Sequence, residues 1–210
     1  MKRTIISAVK QLDTKLGGYV HLMVYRYMNL CVKAEEGSLI PVVVETEDGD
    51  QKLEDVASIA RQDDYTFLIL ADYDEDMPYI AKAINKVHPE FKQSYKETEV
   101  EVDDKGTKRR VRYLEVTMPE VNSDRRDALK QAVDTLYDEC KAQMTAAIAE
   151  ANAKLAVETA GLDEQELQDL KSDIKAMEDG WQKLRDDNHD KKLKEIEEGY
   201  QKSEELRVKS

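Results

Sequence analysis

Apolar residues recur at alternating spacings of three and four near the start of the chain, which is the pattern of an amphipathic helix. The stripe continues in phase through the pair Gly17 and Gly18. We therefore predict one helix of about 30 residues here. The positions of the stripe are Ile5, Val9, Leu12, Leu16, Tyr19, Met23, Arg26 and Leu30.

Two more stripes occupy the last third of the chain. One follows Asn122, a good helix cap, and stops near Gly161; the other follows Asp163 and Glu166, which have the spacing of a capping box. Its pattern weakens beyond about residue 186. None of the three helices can bury its stripe alone, so an antiparallel three-helix bundle is predicted. The two stripes are Leu129, Val133, Leu136, Cys140, Met144, Ala147, Ala151 and Leu155, then Leu167, Leu170, Ile174, Met177, Trp181 and Leu184.

The middle of the chain differs from both flanks, since all four prolines lie there. Val42–Val44 and Phe67–Leu70 are short apolar runs typical of buried strands, and Met77–Val87 reads as a short helix. Alternating residues on both sides of the turn 103–106 predict a hairpin from about Thr98 to Tyr113. The predicted fold class is α+β: residues 1–34 and 120–210 form the bundle, and residues 35–119 form a small inserted α/β domain.

Composition narrows the possible classes of protein. The 210 residues are 37% charged with a formal net charge of -13, and no apolar run approaches the about 20 residues of a membrane span. The N-terminal apolar stretch is too short for a secretory signal, so a cytoplasmic location is expected. Cys31 and Cys140 share no motif with each other or with a histidine, which indicates neither a disulfide nor a metal site.

Catalytic patterns are weak. The three histidines lie in different predicted elements, and none has a serine or cysteine in a recognisable nucleophile setting. The chain has no phosphate-binding glycine loop, and the acidic run Asp72–Asp76 lacks the glycine and the closing glutamate of a calcium loop. We expect neither an enzyme nor a cofactor.

Basic residues concentrate in two places. The first helix is the only net basic segment, with Lys2, Arg3, Lys10, Lys15, Arg26 and Lys33. These residues either contact RNA or form a solvated helix face. The predicted hairpin carries a denser cluster, which either pairs with acidic residues across the hairpin or binds a polyanion. The two sides are Lys105, Lys108, Arg109, Arg110 and Arg112, and Glu97, Glu99, Glu101, Asp103 and Asp104.

Several short segments, in the order helix, insert, helix, helix, resemble the ribosome recycling factor family. The stretch Tyr113–Arg126 runs from a strand through Pro119 into a capped helix whose first turn carries two arginines. The insert matches the second domain of the family without a gap, at Asp55–Ile59, Asp63, Thr66, Ile69, Pro78 and Lys82–Ile84. The resemblance covers most of the chain.

The resemblance implies two stretches that bind ribosomal RNA. The family motif R-x-G-R-A-S-P corresponds to Leu30–Glu36, and V-R-N-I-R-R-D-A-N-D-K-L corresponds to Met144–Leu155. The RNA-binding residues that it implies are Arg26, Lys33, Arg125, Arg126 and Lys154. Family arginines are replaced at Leu30, Thr145, Ile148 and Ala149. Because Lys and Arg contacts to phosphate supply much of nucleic-acid affinity, weaker RNA binding is expected.

Two functions are consistent with this sequence. The first is a divergent, non-enzymatic recycling-factor-like protein, for which the resemblance implies the ribosome and a translational GTPase as partners and for which recycling activity is reduced. The second is an interaction protein that keeps the fold and binds an unknown protein partner through its acidic surface. Neither hypothesis involves a membrane or DNA.

Overall fold

A computed structural model describes residues 3–46, 49–101 and 108–209. Long helices and small antiparallel sheets make up the chain, which confirms the predicted α+β class. Short 3-10 turns occur at Glu36–Leu39 and Asp74–Asp76. The elements in chain order are α1 (Arg3–Tyr27), β1 (Val43–Thr46), β2 (Gly49–Lys52), α2 (Leu53–Val56), β3 (Ala57–Arg61), β4 (Thr66–Ala71), α3 (Met77–Val87), β5 (Lys92–Glu101), β6 (Lys108–Thr117), α4 (Ser123–Glu158) and α5 (Glu164–Lys209).

The chain divides into two compact units. The helical unit contains α1 and Asp124–Glu198, and the small unit contains Met28–Ser123 and the residues from Gly199 onwards. The sequence prediction assigns all of 120–210 to the bundle, whereas side chains after Gly199 make contacts within the small unit. The hydroxyls of Ser203 and Tyr65 lie 2.9 Å apart, and Lys202 donates to Asp64.

The predicted stripe of α4 is buried almost throughout. Its buried residues are Val133, Cys140, Met144, Ala147, Ala151 and Leu155. The stripe of α1 differs from the prediction, because its C-terminal half turns toward Gly17, Val20 and Tyr27, and the helix ends at Tyr27. Consequently Arg26, predicted in the stripe, is exposed.

Helix α5 begins where the capping residues predicted, because the carboxylate of Asp163 accepts a hydrogen bond from the backbone N–H of Glu166 at 2.8 Å. The weakening of its pattern near residue 186 does not end the helix, which continues to Lys209. Leu184, predicted in the stripe, is 40% exposed. The neighbouring Arg185 is buried in its place.

A glycine allows α1 and α5 to approach closely. A Cβ placed on Gly17 would lie 2.9 Å from two atoms of the Trp181 indole, whereas Gly18 has nothing within 4 Å. The indole N–H of Trp181 donates to the Asp13 carboxylate at 2.7 Å, one turn earlier on α1. The Trp181 ring thus packs against Gly17 and is held there by its hydrogen bond to Asp13.

Ion pairs join α1 to α4. The Lys15 ammonium lies 2.7 Å from the Glu150 carboxylate, and Lys154 donates to the same carboxylate at 2.7 Å. Hydrogen bonds from Lys15 and Lys154 lower the pKa of Glu150 from its ordinary 4.5 to about 2. Arg26 reaches Glu139 in the same way, at 2.5 Å. The pairing of early with late residues shows that α1 and α4 run antiparallel.

The small unit is built on an antiparallel sheet in the order β3-β4-β6-β5. Buried residues of β4 and β6 pack with α3, the β1–β2 hairpin lies beside α3, and the core includes Phe67, Ile69, Ile80, Ile84 and Leu114. The predictions of β4, α3 and the β5–β6 hairpin are confirmed. The strands β2 and β3 were not predicted, and the predicted turn 103–106 lies outside the described residues.

Gly17→Ala is expected to destabilise the protein by about 1–3 kcal/mol, because the added methyl overlaps the Trp181 ring in a packed helix crossing. Urea unfolding followed by circular dichroism measures the change. Gly18→Ala is the matched control: its methyl enters open space on the same helix, so we expect stabilisation by about 0.5–1 kcal/mol. Equal effects of the two substitutions would contradict the close approach.

Asp163→Ala is expected to cost about 1 kcal/mol, because the Glu166 N–H loses its side-chain acceptor at the start of α5. Asp163→Asn keeps a capping oxygen and should cost a few tenths of that. Chemical denaturation of the three proteins checks this order, and an unchanged midpoint and slope for the alanine variant would place the start of the helix elsewhere.

Glu150→Gln is expected to lower stability at neutral pH by less than Gly17→Ala does, because the pair is exposed and screened. The pKa of Glu150 is depressed in the folded state, so its contribution is complete above pH 4.5 and disappears as the pH falls through about 2. The difference between wild type and variant in urea midpoint, measured from pH 6 to pH 2, should narrow over this window. A constant difference would be inconsistent with the ion pair.

Candidate nucleic-acid interface

The four implied cations of the helical unit do not form one cluster. Arg26 lies in the last turn of α1, whereas Arg125 and Arg126 lie in the first turn of α4 and Lys154 lies in its last turns. On α4, the arginine pair and Lys154 are almost 30 residues apart, which is roughly 42 Å along a helix. Lys33 follows α1 and belongs to the small unit. The implied contacts are therefore spread along the fold.

Four of the five implied cations are held by nearby carboxylates. Besides Arg26 with Glu139 and Lys154 with Glu150, Lys33 lies 2.7 Å from Glu35, and Arg126 lies 2.8 Å from Asp127.

The strength of these pairs matters for RNA binding. The hydrogen bond from Arg126 lowers the pKa of Asp127. Exposed pairs of this kind contribute only about 0–1 kcal/mol, so a phosphate could displace the carboxylate. Each pair nevertheless has no net charge, which removes the long-range attraction that draws a polyanion toward a surface.

The positions at which the resemblance implies replaced arginines lie as the pattern on α4 predicts. Thr145 and Ala149 are exposed, and Ile148 is half-buried beside the core stripe. Leu30 is half-buried beyond the end of α1. An arginine at any of the three positions on α4 would reach solvent, and the residues present leave an open, uncharged surface.

That uncharged surface extends over four turns of α4, and we call it the neutral face. All of its side chains are exposed, and the last is 75% exposed. No charged residue interrupts it, although 37% of the chain is charged. Such a face offers phosphate no counter-charge, but it can pack closely against another protein. Its residues are Ala142, Thr145, Ala146, Ala149, Asn152, Ala153, Ala156 and Val157.

The basic residues of the first helix give little additional positive surface. Arg3 and Lys10 are exposed on α1, and Lys15 is paired with Glu150. Lys2 lies outside the described residues. The solvated-face interpretation therefore accounts for these residues as well as RNA contact does.

Cross-strand pairing occurs in the hairpin. Arg112 lies 3.5 Å from Glu97, and Lys108 lies 3.7 Å from Glu99. Arg110 stands opposite Glu99 in the register. Lys105, Asp103 and Asp104 lie outside the described residues. Cross-strand ion pairs thus account for part of the basic cluster on the hairpin.

A polar cluster between α4 and α5 was not predicted. The buried Arg185 guanidinium lies 4.8 Å from the Tyr137 ring centroid and 2.7 Å from Asp186, which also accepts from the Tyr137 hydroxyl at 2.8 Å. Burial favours a higher pKa for Asp186, but these hydrogen bonds outweigh it and the pKa is lowered.

The neighbours of this cluster extend it along α4. His189 lies 2.9 Å from Asp134, and burial raises the pKa of the Cys140 thiol. The spacing of Asp134, Tyr137 and Cys140, three residues apart on one edge of α4, was the available sequence signal. The cluster joins α4 to α5. Among the described residues, no group of side chains is arranged to hold a metal ion.

No helix in the described ranges is both long and apolar enough to span a membrane. No curated protein sequence matches the chain.

Solved structures resemble the fold closely. A solution structure of a ribosome recycling factor superposes with a TM-score of 0.72 at 16% identity, covering 94% of this chain and 100% of that chain. A second match is to models of the T. thermophilus ribosome recycling factor and E. coli elongation factor G bound to the E. coli post-termination complex, with a TM-score of 0.56 at 18% identity. It covers 91% of this chain and 98% of that one.

At these identities the structures support the fold, and the sequence itself supplies the relationship. Residues 28–196 match the family described as ribosome recycling factor. The match includes most of the small unit, all of α4 and the larger part of α5. The chain therefore belongs to the ribosome recycling factor family.

Proposed function

We propose that this protein is a divergent, non-enzymatic ribosome recycling factor homologue that associates weakly with the ribosome and has reduced recycling activity. Family membership supports the ribosome as the partner. The single observation that carries the reduced affinity is the neutral face, which includes Thr145 and Ala149, two of the three family arginine positions on α4. Pairing of Arg26, Lys33, Arg126 and Lys154 with carboxylates supports the same conclusion.

The bundle and the small domain have different roles, as the resemblance to the family implies. The bundle, residues 1–34 and 120–210, enters between the ribosomal subunits, and the domain of residues 35–119 moves under the action of a translational GTPase in the cytoplasm. The structural relative bound to a post-termination complex together with elongation factor G supports this pair of partners. The protein contributes a rigid body, and it catalyses no reaction.

A second candidate is an interaction protein that keeps the fold and binds another protein. The neutral face favours it, because small exposed side chains allow a partner helix to approach closely and no charge must be desolvated. The formal net charge of -13 also opposes binding to RNA at long range and favours a partner with a basic surface.

Restoring arginine at Thr145, Ile148 and Ala149 together is expected to tighten ribosome binding and to steepen its salt dependence. Each new phosphate contact releases counterions, so three contacts should make the slope of log affinity against log salt more negative by about two to three. Co-sedimentation with purified ribosomes across a salt series measures both quantities. The unmodified protein should bind weakly with a shallow slope.

The matched control adds the same charge elsewhere. Gln168, Ser172 and Ala176 are exposed on α5, and their replacement by arginine should change ribosome binding much less. Strong, salt-sensitive binding by the unmodified protein would overturn the reduced affinity. A folded triple variant on α4 with no gain over the control would favour the second candidate.

A further inference from the structure

The strand β6 has a free edge. Its pairing with β4 ends at Leu114 opposite Ile69, whereas its pairing with β5 continues six residues further, to Lys108 opposite Glu101. On the β4 side, the register gives residues 108–113 no partner among the described strands. Backbone donors and acceptors in an extended strand without a partner are a template for another strand.

A cleft of about 540 Å³ lies along this edge. Its volume falls within the range of about 300–1,000 Å³ that is typical of ligand sites. One wall is the free segment of β6, and the other is the end of β4 with the acidic turn that follows. The lining residues of the turn include Asp72, Asp74 and Glu75.

The side chains of the free segment alternate between the two faces of the hairpin. Lys108, Arg110 and Arg112 continue the face on which Leu114 is buried, since alternate residues of a strand share a face. Val111 and Tyr113 lie on the opposite face, together with Arg109. Arg109 and Arg110 form no ion pair with any described side chain.

The other edge of β6 shows what such a strand binds. There β5 places Glu97, Glu99 and Glu101 opposite Arg112, Arg110 and Lys108 in the register. Between the glutamates, Thr98 and Val100 stand opposite Val111 and Arg109. Opposite charges across an antiparallel pair stabilise it, so this alternation complements β6. A strand added at the free edge would face the same side chains.

We propose that the free edge of β6 binds an extended segment of a partner protein in which acidic residues alternate with apolar ones. The segment pairs with the backbone of residues 108–113 in the cleft. Its acidic side chains face Arg110 and its neighbours, and its apolar side chains cover Val111 and Tyr113. This site lies in the small unit and does not depend on ribosome binding.

The acidic wall distinguishes a peptide from a nucleic acid. A polyanion in the cleft would place phosphates against Asp72, Asp74 and Glu75 as well as against the arginines. A peptide strand also forms backbone hydrogen bonds with the open edge, which a nucleic acid cannot do. The open edge and the acidic wall together favour a peptide.

Fluorescence polarisation of a labelled peptide of about eight residues, alternating glutamate and valine, tests the proposal with the full-length protein. Binding should be saturable, and Arg110→Glu should weaken it about tenfold. Lys92→Glu makes the same charge change at the other end of the hairpin and should leave affinity within twofold. Two further peptides probe the mode: one N-methylated at alternate residues, and one with the glutamates and valines in separate blocks. Both should bind at least tenfold more weakly.

Several results would overturn the proposal. They are equal binding to Arg110→Glu, equal binding of the N-methylated or block peptide, and displacement of the peptide by a short single-stranded RNA of higher affinity. Self-association of the protein alone that Arg110→Glu abolishes would assign the edge to a second copy of the chain. Thermal unfolding checks that each variant is folded, and Arg110→Gln replaces the charge reversal if it is not.

Discussion

Each of the three long helices has only a narrow apolar stripe, and the structure of the helical unit depends on this constraint. A helix of 36 residues such as α4, with six buried side chains, cannot persist alone in water and must place its stripe against α1 and α5. Every other position then faces solvent or a groove between helices. Charged residues fill most of these positions, and they pair across the grooves, as Lys15 does with Glu150.

The same constraint explains how far the sequence could predict the fold. The stripe of α4 and the helix α3 were predicted because their spacing is regular and their ends are marked by capping residues or by a proline. The buried stripe of α1 differs from the prediction because a search for apolar residues does not count glycine, although Gly17 is buried by the Trp181 ring. The strands β2 and β3 were not predicted, because Gly49–Lys52 and Ala57–Arg61 have few buried side chains and so show no apolar pattern.

The sequence could predict which positions of the candidate interface are exposed, but not which carboxylates pair with its basic residues. The exposure of Thr145 and Ala149 follows from the helical period once the core stripe is known. The partner of Arg26 does not, because Glu139 is 113 residues away in the sequence and meets it only through the packing of two helices. Arg185 shows the same limit, since an arginine in a heptad-like pattern reads as exposed until Tyr137 and Asp186 are placed beside it.

Fold and surface charge are physically separable in this protein. The fold rests on buried stripes and on the sheet core, whereas the side chains of the neutral face are exposed, and replacing such side chains typically changes stability by less than about 0.5 kcal/mol. Residues on that face can therefore differ between relatives without affecting the fold. A family match from residue 28 to residue 196 and a neutral face on α4 are compatible for this reason.

The contact between Trp181 and Gly17 also provides an optical probe that the chain carries in itself. Trp181 is the only tryptophan, and it belongs to the helical unit, whereas the aromatic residues of the small unit are tyrosines and phenylalanines. Indole emission therefore reports the loss of the α1–α5 contact, while far-ultraviolet circular dichroism reports both units. If the two signals change at different denaturant concentrations, the two units unfold as separate cooperative bodies.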